Sequence, residues 1–446
     1  MKKTDTFFIG LMLFSMFFGA GNLIFPSFLG AEAGTNFWLA MAGFILTGVG
    51  LPVAVILAVS LVKGGVNTIA GRVHPKFSTI FMVIIYLSIG PFLAIPRNAS
   101  VAFQMAAAPF LDGHGSHTIP LLVFTFMFFA VVYLVALNPS KIETYMGRWI
   151  TPVLLLSIGA LCVLVFFNLH HPVQAPSKAY ESGSFFTGFI EGYSTMDALG
   201  ALAFGIVIIS AVRHRGAGDS KQLTRNSFKA GLIAGLFLSV IYVSLGLMGR
   251  NMAGEGSFRD GAEILSTAST ILMGTSGKAL LGLIFTLACF TTVVGLTSAC
   301  GQYFSGLIPK ASYKGIVFAV TMVGFILSNL GLAQILKVSV PFLVSAYPIT
   351  IVLITLAFFH RFIGERKKVY GTAILFTGIF AVIGGLNSIG LTLGPLQSMM
   401  NLLPLSSAGM AWVVPAIIGT GVGLILSKFD KTPVLSGERK AIKKAG

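Results

Sequence analysis

Charged residues are scarce in this sequence, and their scarcity excludes an ordinary soluble protein. Asp, Glu, Lys and Arg make up 10% of the 446 residues, whereas apolar types make up 55% and the mean hydropathy is +0.90. A soluble domain carries about 25% charged residues. Because so few polar groups cannot cover so much apolar surface, most of the chain is predicted to lie in a lipid bilayer.

The sequence also lacks the side-chain groupings of an enzyme. Its three cysteines, Cys162, Cys289 and Cys300, lie in apolar stretches without a CxxC pair, so neither a disulfide framework nor a metal site is expected. The seven histidines fall outside the apolar stretches or at their ends. No phosphate-binding glycine loop and no nucleophile–base pattern occurs. We therefore predict a protein that is not an enzyme and has no resident cofactor.

Long uncharged intervals predict an all-α membrane protein with about twelve transmembrane helices. A spanning helix needs about 20 mostly apolar residues, and alternating strand patterns are too few to favour a barrel. The chain is predicted to form a single membrane domain over residues 1–446. The predicted spans are Phe7–Leu29, Phe37–Leu61, Phe77–Ala108, Ile119–Ala136, Trp149–Phe167, Phe185–Val212, Ala230–Leu247, Leu280–Phe304, Gly315–Leu332, Ile335–Phe359, Tyr370–Ile389 and Ala408–Leu426.

The net charge of +16 is concentrated on one side of the predicted spans. With the N-terminus placed inside, 24 of the 30 Lys and Arg fall in inner loops and tails, five fall in outer loops, and Arg97 alone lies within a span. This asymmetry follows the positive-inside rule. It predicts that both termini are cytoplasmic, including a basic tail at 428–446, and it accounts for the charge without a nucleic-acid partner. The first apolar run is too long for a signal peptide and is expected to remain as a span.

Two of the predicted spans are interrupted. Span 1 contains the sequence FFGAGNLIFP at 17–26, and span 6 contains EGYSTMDALGALAFG at 191–205. Close helix packing would explain the glycines but not the Asn and Pro beside them. Interrupted segments at matching places in two halves indicate an inverted-repeat transporter with a site at the membrane midplane. The repeats are predicted at about 7–167 and 185–359, with two further helices at 370–427.

Buried charged and hydroxyl side chains supply further candidates. Asp197, beside the second break, is expected to ligate a cation, bind an ammonium group, carry a proton or cap a half-helix. Arg97 needs an acidic or carbonyl partner, either as a structural contact or for gating or substrate capture. Glu191 lies either in water at the outer end of span 6 or in the functional site. Thr291 and Thr292 would supply hard oxygen ligands for a small cation beside the carbonyls of span 1.

Four segments together closely resemble the bacterial branched-chain amino acid:cation symporter family, also called the BrnQ or LIVCS family. They are FFGAGNLIFP, GPFLAIPRNASVAF, GYSTMDALGALAFG and the threonines of span 8, and the resemblance extends from about Lys3 to Ser427. It implies the leucine-transporter-type fold, with two inverted repeats of five helices followed by two further helices. It also implies secondary uptake of leucine, isoleucine and valine across the bacterial plasma (inner) membrane, driven by Na⁺ or H⁺.

The resemblance further implies roles for individual residues. The first break would hold the substrate carboxylate, the second break would hold the ammonium group, and spans 1 and 8 would hold a Na⁺ ion. The substrate-binding candidates are Gly19, Ala20, Gly21, Asn22, Ser194, Thr195, Met196 and Asp197. The ion-binding candidates are Ser15, Phe18, Asn22, Ala288, Thr291 and Thr292.

Several alternatives stay open from the residues alone. The same fold would suit another small zwitterion or a nucleobase, whereas a channel would need a continuous polar lining that the spans hardly offer. An intramembrane enzyme would have only Asp197 and Arg97 as catalytic groups within the membrane. The threonine pair favours Na⁺ as the coupling ion, while Asp197 allows H⁺. The expected partners are a small amino acid and the lipid bilayer, and the sequence carries no signal for an oligomeric state.

Overall fold

The structure is a computed structural model, and it describes residues 3–111, 117–168, 171–216, 219–391 and 394–429. Two of the histidines, His114 and His170, lie outside the described residues. So does the predicted cytoplasmic tail from residue 430 onward.

Within these ranges the chain is all-α, with no strand. Segments of π-helix at Leu46–Gly50 and Ser88–Phe92 join α3 to α4 and α6 to α7, so that two helices continue across a local irregularity. The helices are α1 (Lys3–Phe17), α2 (Ala20–Ala33), α3 (Phe37–Ile45), α4 (Leu51–Leu61), α5 (Gly65–Gly71), α6 (Pro75–Leu87), α7 (Ala94–Ala106), α8 (Thr118–Ala136), α9 (Thr151–Asn168), α10 (Lys178–Glu181), α11 (Ser184–Glu191), α12 (Asp197–His214), α13 (Ser220–Met252), α14 (Gly261–Leu307), α15 (Tyr313–Ser328), α16 (Leu332–Phe358), α17 (His360–Ile363), α18 (Lys367–Asn387), α19 (Gly394–Asn401) and α20 (Val413–Lys428).

In the described part of the chain, nine helical segments are long and apolar enough to cross a membrane. They overlap nine of the predicted spans, with bounds that differ by up to about 20 residues. The shorter apolar helices α1, α15 and α20 lie where spans 1, 9 and 12 are predicted. The all-α membrane class is confirmed, whereas the count of twelve spans remains a prediction.

The two interrupted helices pack in the way that an inverted repeat requires. α1 and α2 form the first interrupted helix, and both pack along α13. α11 and α12 form the second, and they pack along α3 and α4, which occupy the place of α13 in the other half. α7 also contacts α14, and α8 contacts α15. The symmetry of an inverted repeat would exchange the two helices within each of these pairs. The exact repeat bounds, 7–167 and 185–359, stay a prediction. Beyond them lie α18 and α20, and α16, α18 and α20 pack in succession.

Glycines bring α2 and α13 into backbone contact. A Cβ atom added to Gly249 would lie 1.8 Å from the carbonyl oxygen of Ser27, and one added to Gly30 would lie 1.9 Å from the carbonyl oxygen of Gly246. Small residues permit such close approach in membranes, where van der Waals packing drives helix association. The second half of the first interrupted helix is therefore fixed against α13.

We expect the substitution Gly249→Ala to lower the melting temperature of the purified protein in detergent. The added methyl group would overlap a backbone oxygen, and overpacking costs about 1–3 kcal/mol. Gly371→Ala is the matched control, because nothing lies within 4 Å of a Cβ atom at that helical position. Equal melting temperatures for the two variants would contradict the close contact between α2 and α13.

Candidate functional site

The first break is short and consists of Phe18 and Gly19 between α1 and α2. Gly19 is extended (φ −110°, ψ −162°) and caps α2. Its N–H group donates to Oδ1 of Asn22 at 3.1 Å. The sequence predicted an interruption through Asn22 and at Pro26, but the helix resumes at Ala20 and continues through Pro26. It resumes early because the Asn22 side chain supplies an acceptor that the unwound backbone lacks.

A side chain at position 19 would crowd the polar side chains that surround the break. A Cβ atom there would lie 2.7 Å from Oδ1 of Asn98 in α7 and 3.0 Å from Oγ1 of Thr292 in α14. The break is thus enclosed by polar atoms of two other helices.

The second break lies between α11 and α12. Residues Gly192–Thr195 form a 3₁₀ turn, and Met196 adopts a left-handed conformation (φ 65°) before α12 begins at Asp197. Left-handed backbone is unfavourable for a residue with a side chain, and it persists only where the surrounding structure imposes it. Thr195 stabilises the turn, since its hydroxyl donates to the carbonyl oxygen of Gly192 at 2.9 Å.

Asn22 joins the two breaks. Its Nδ2 donates to Oδ2 of Asp197 at 2.6 Å and also contacts the hydroxyl of Tyr242. The Tyr242 hydroxyl donates to the same Asp197 oxygen at 2.9 Å. Asp197 is 3% exposed, and a buried carboxylate is costly unless hydrogen bonds satisfy it. The Asn22 and Tyr242 donors therefore stabilise Asp197 at the start of α12.

Two neighbouring side chains of α7 also contact the breaks. Arg97 donates from Nη1 to the carbonyl oxygen of Ser194 at 3.2 Å, in the second break. Asn98 accepts through Oδ1 from the N–H group of Ala20 at 2.9 Å, at the first break. These contacts pair backbone groups that have no partner within their own helices.

Hydroxyl and carbonyl oxygens converge where α14 passes the end of α1. Oγ1 of Thr291 lies 2.7 Å from the Ser15 carbonyl oxygen, 2.9 Å from that of Ala288 and 3.1 Å from that of Leu287. The neighbouring Thr292 is buried, and its Oγ1 has no hydrogen-bond partner among the described residues. The C-terminal end of a helix carries partial negative charge. This oxygen cluster is suited to a small cation.

The two breaks share a buried cavity of about 30 Å³. Pockets that bind small molecules usually measure at least about 300 Å³. A small-molecule ligand would therefore fit only if side chains moved. The predicted site residues that line it are Gly19, Ala20, Gly21, Asn22, Thr195, Met196, Asp197, Thr292 and Arg97. The apolar side chains at the cavity are Met16, Phe17, Ile89, Phe204 and Leu296.

A larger vestibule and this cavity are both lined by residues of α12, and aromatic side chains lie at each. The vestibule measures about 630 Å³ and is lined in part by Lys63, Arg213, Tyr86 and Tyr303. The rings of Tyr86 and Tyr303 stack with centroids 4.0 Å apart. Phe204 lies on the cavity side, and the Tyr86 hydroxyl donates to the neighbouring Ala203 carbonyl oxygen at 3.2 Å.

Other predicted site residues lie at the margins. Ser194 contributes its carbonyl to Arg97, and Phe18 lies in the first break, where its ring stacks on Phe14. Glu191 ends α11, is partly buried and is not among the residues that line the cavity. Because Glu191 lies at the end of a half-helix, a position in water and a place in the functional site both remain predictions.

Two residues at the site were not singled out from the sequence. Asn98 follows Arg97 in the irregular segment of span 3, so a second polar residue in an apolar span was a signal that could have found it. Tyr242 had no such signal, because a single tyrosine in an apolar helix is common in a protein interior.

Residues 2–430 match the family described as branched-chain amino acid transport protein. The chain belongs to this family. It is therefore a membrane transporter and not an enzyme. Its sequence is 45% identical to the branched-chain amino acid permease BraB of Bacillus subtilis over 427 residues, covering 95% of this chain and 96% of that protein. It is 38% identical to the branched-chain amino acid transport system 2 carrier protein of Pseudomonas aeruginosa, covering 97% and 98%.

A solved structure has the same fold. It is that of Mhp1, a nucleobase-cation-symport-1 family transporter, in a closed conformation with bromovinylhydantoin bound. The TM-score is 0.65 at 13% identity, and the match covers 95% of this chain and 92% of that chain. The leucine-transporter-type fold expected from the sequence is thereby confirmed for this transporter.

We expect Tyr242→Phe to destabilise this transporter by about 1–3 kcal/mol, because a buried carboxylate would lose one of its donors. Tyr180→Phe is the matched control, since Tyr180 is 3% exposed and its hydroxyl has no partner among the described residues. Thermal unfolding of the purified variants measures the difference. If Tyr242→Phe unfolds at the same temperature as Tyr180→Phe, the hydroxyl does not support Asp197.

Proposed function

We propose that this transporter carries leucine, isoleucine and valine into the bacterial cell together with Na⁺. The observation that carries the proposal is the meeting of both helix breaks at one buried cavity, with Asn22 hydrogen-bonded to each break. Broken helices of this kind bind zwitterions and ions in secondary transporters. The permease names of its relatives support the choice of cargo.

In this proposal the substrate carboxylate binds at the start of α2. The N–H groups of the first turn are free of helical partners and carry partial positive charge. The N–H group of Gly19 donates to Asn22, and that of Ala20 donates to Asn98. The N–H groups of Gly21 and Asn22 therefore remain for the carboxylate. From the sequence, the Ala20 N–H group was expected to bind it as well.

The ammonium group and the alkyl side chain of the substrate would bind to the other sides of the same cavity. The carbonyl oxygens of the second break and the carboxylate of Asp197 offer negative charge to the ammonium group. The aliphatic side chain of the substrate would contact Phe204 and Leu296, which line the same cavity. Each buried CH₂ group contributes about 0.8 kcal/mol, so discrimination among leucine, isoleucine and valine is expected to be weak.

Na⁺ would bind to the oxygens between α1 and α14. Its ligands would be the carbonyls of Ser15, Phe18 and Ala288 and the hydroxyls of Thr291 and Thr292. The carbonyl oxygens of Ser15 and Ala288 already lie 2.7 Å and 2.9 Å from Oγ1 of Thr291. Because α1 ends at the first break, an ion bound there would also fix the backbone that shapes the substrate site. This shared backbone couples the two binding events.

The proposed transport cycle alternates access to this site. Lys63 and Arg213, which line the vestibule, belong to loops that the charge asymmetry assigns to the cytoplasm. Release to the cytoplasm would then require Tyr86, Tyr303 and Phe204 to move apart. Both termini lie in the cytoplasm in this arrangement.

We expect labelled leucine to accumulate in proteoliposomes under an inward Na⁺ gradient alone. Unlabelled isoleucine and valine should inhibit within about tenfold of leucine itself, since they differ by at most one CH₂ group, whereas glutamate and uracil should not. A pH gradient alone should drive no accumulation. Accumulation driven by the pH gradient instead would replace Na⁺ with H⁺ as the coupling ion, and strong inhibition by uracil would contradict the amino-acid cargo.

We expect Thr292→Ala to raise the Na⁺ concentration for half-maximal leucine uptake about tenfold, because the ion loses one oxygen ligand. Thr297→Ala is the matched control. Thr297 lies on the same helix, is equally buried with an unpaired hydroxyl among the described residues, and does not line the cavity. Uptake is measured in proteoliposomes over a series of Na⁺ concentrations. An unchanged Na⁺ dependence in Thr292→Ala would exclude the site between α1 and α14.

A further inference from the structure

Arg97 is a buried cation that makes no direct ion pair in the described part of the chain, although Asp197 attracts it at longer range. Its side chain is 5% exposed, and no acidic oxygen within 4.0 Å forms an ion pair with it among the described residues. The nearby Asp197 accepts from Asn22 and Tyr242 instead. A single carbonyl bond, to Ser194, compensates poorly for the removal of a guanidinium group from water.

The guanidinium group lies over the first turn of α2. A Cβ atom on Gly21 would lie 2.9 Å from Nη2 of Arg97 and 3.2 Å from the carbonyl oxygen of Ser194. The ring of Phe25, one turn further along α2, lies 5.2 Å from the guanidinium carbon and makes a cation–π contact with it. Arg97 therefore spans the gap between the start of α2 and the second break.

This position favours the binding of an anion. The N-terminal end of a helix carries roughly half a positive charge, and here a full positive charge lies beside it. A carboxylate between the two would interact favourably with both. A guanidinium group also matches a carboxylate in geometry, because two parallel N–H groups can donate to its two oxygens.

We propose that Arg97 binds the α-carboxylate of the substrate. In the structure Nη1 donates to the carbonyl oxygen of Ser194; on substrate binding the guanidinium group would donate to the carboxylate, which also meets the N–H groups of Gly21 and Asn22. The Ser194 carbonyl would then be free to accept from the substrate ammonium group. The inference rests on the proposed amino-acid cargo and assigns the carboxylate a side-chain ligand on α7.

The test compares leucine with leucinol, which keeps the ammonium group and the alkyl chain but has no carboxylate. Binding of each to purified protein is measured by displacement of labelled leucine or by the ligand-dependent rise in melting temperature. The wild-type protein should bind leucine about 10- to 100-fold more tightly than leucinol, as expected for loss of a charge-assisted contact. In Arg97→Gln, leucine affinity should fall to nearly that of leucinol, while leucinol affinity changes little.

Arg250→Gln is the matched control, because Arg250 also stacks on a phenylalanine ring, that of Phe37 at 5.5 Å, but does not line the cavity. It should keep the wild-type ratio of leucine to leucinol affinity. Arg97→Lys retains a positive charge without the paired donors and should give an intermediate ratio. If Arg97→Gln does not fold, the ratio measured for Arg97→Lys tests whether Arg97 binds the carboxylate.

Two results would overturn the assignment of Arg97. A ratio that stays at the wild-type value in both Arg97 variants means that the carboxylate binds elsewhere. A parallel loss of leucine and leucinol affinity means that Arg97 only supports the structure. Failure of the wild-type protein to bind leucine would instead reject the proposed cargo, so the two failures are distinguishable.

Discussion

The side-chain amide of Asn22 holds the two interrupted helices together. In a bilayer every backbone N–H and C=O group needs a partner, and a helix break removes several partners at once. Oδ1 of Asn22 accepts from Gly19 in the first break, while Nδ2 donates to Asp197 at the start of the helix after the second break. Asn98 pairs the next free N–H group, that of Ala20. The breaks persist because side chains replace the helical hydrogen bonds.

This arrangement separates charge along one short stretch of chain. Near the end of α1 the Ser15 carbonyl oxygen accepts from Thr291, whereas α2 begins with free N–H groups beside Arg97. A cation therefore suits one side of the break and a carboxylate suits the other. In the proposed mechanism the two sites share the backbone at Phe18 and Gly19, so an ion and a zwitterion that bind together would each favour the conformation that the other requires.

Much of the fold and part of the site could be predicted from the sequence. Hydropathy located the helices, and the Gly, Asn and Pro residues of span 1 indicated a break because they disfavour an uninterrupted helix. The length of the break could not be predicted, since the helix resumes at Ala20 only because Asn22 and Asn98 accept its first N–H groups. Tyr242 was missed because its role depends on a partner that lies 45 residues away along the chain.

Composition and the order of residues therefore determined the lipid environment, the all-α class, the two interrupted spans and the family resemblance. These properties depend on local backbone chemistry and on transfer of side chains from water to lipid. The tertiary structure alone decided which polar groups meet. Helix packing at glycine contacts places α7 and α14 beside the first break, and Arg97 of α7 also reaches the second. A distance of about 3 Å between side chains from different helices is set by that packing and by no local pattern in the sequence.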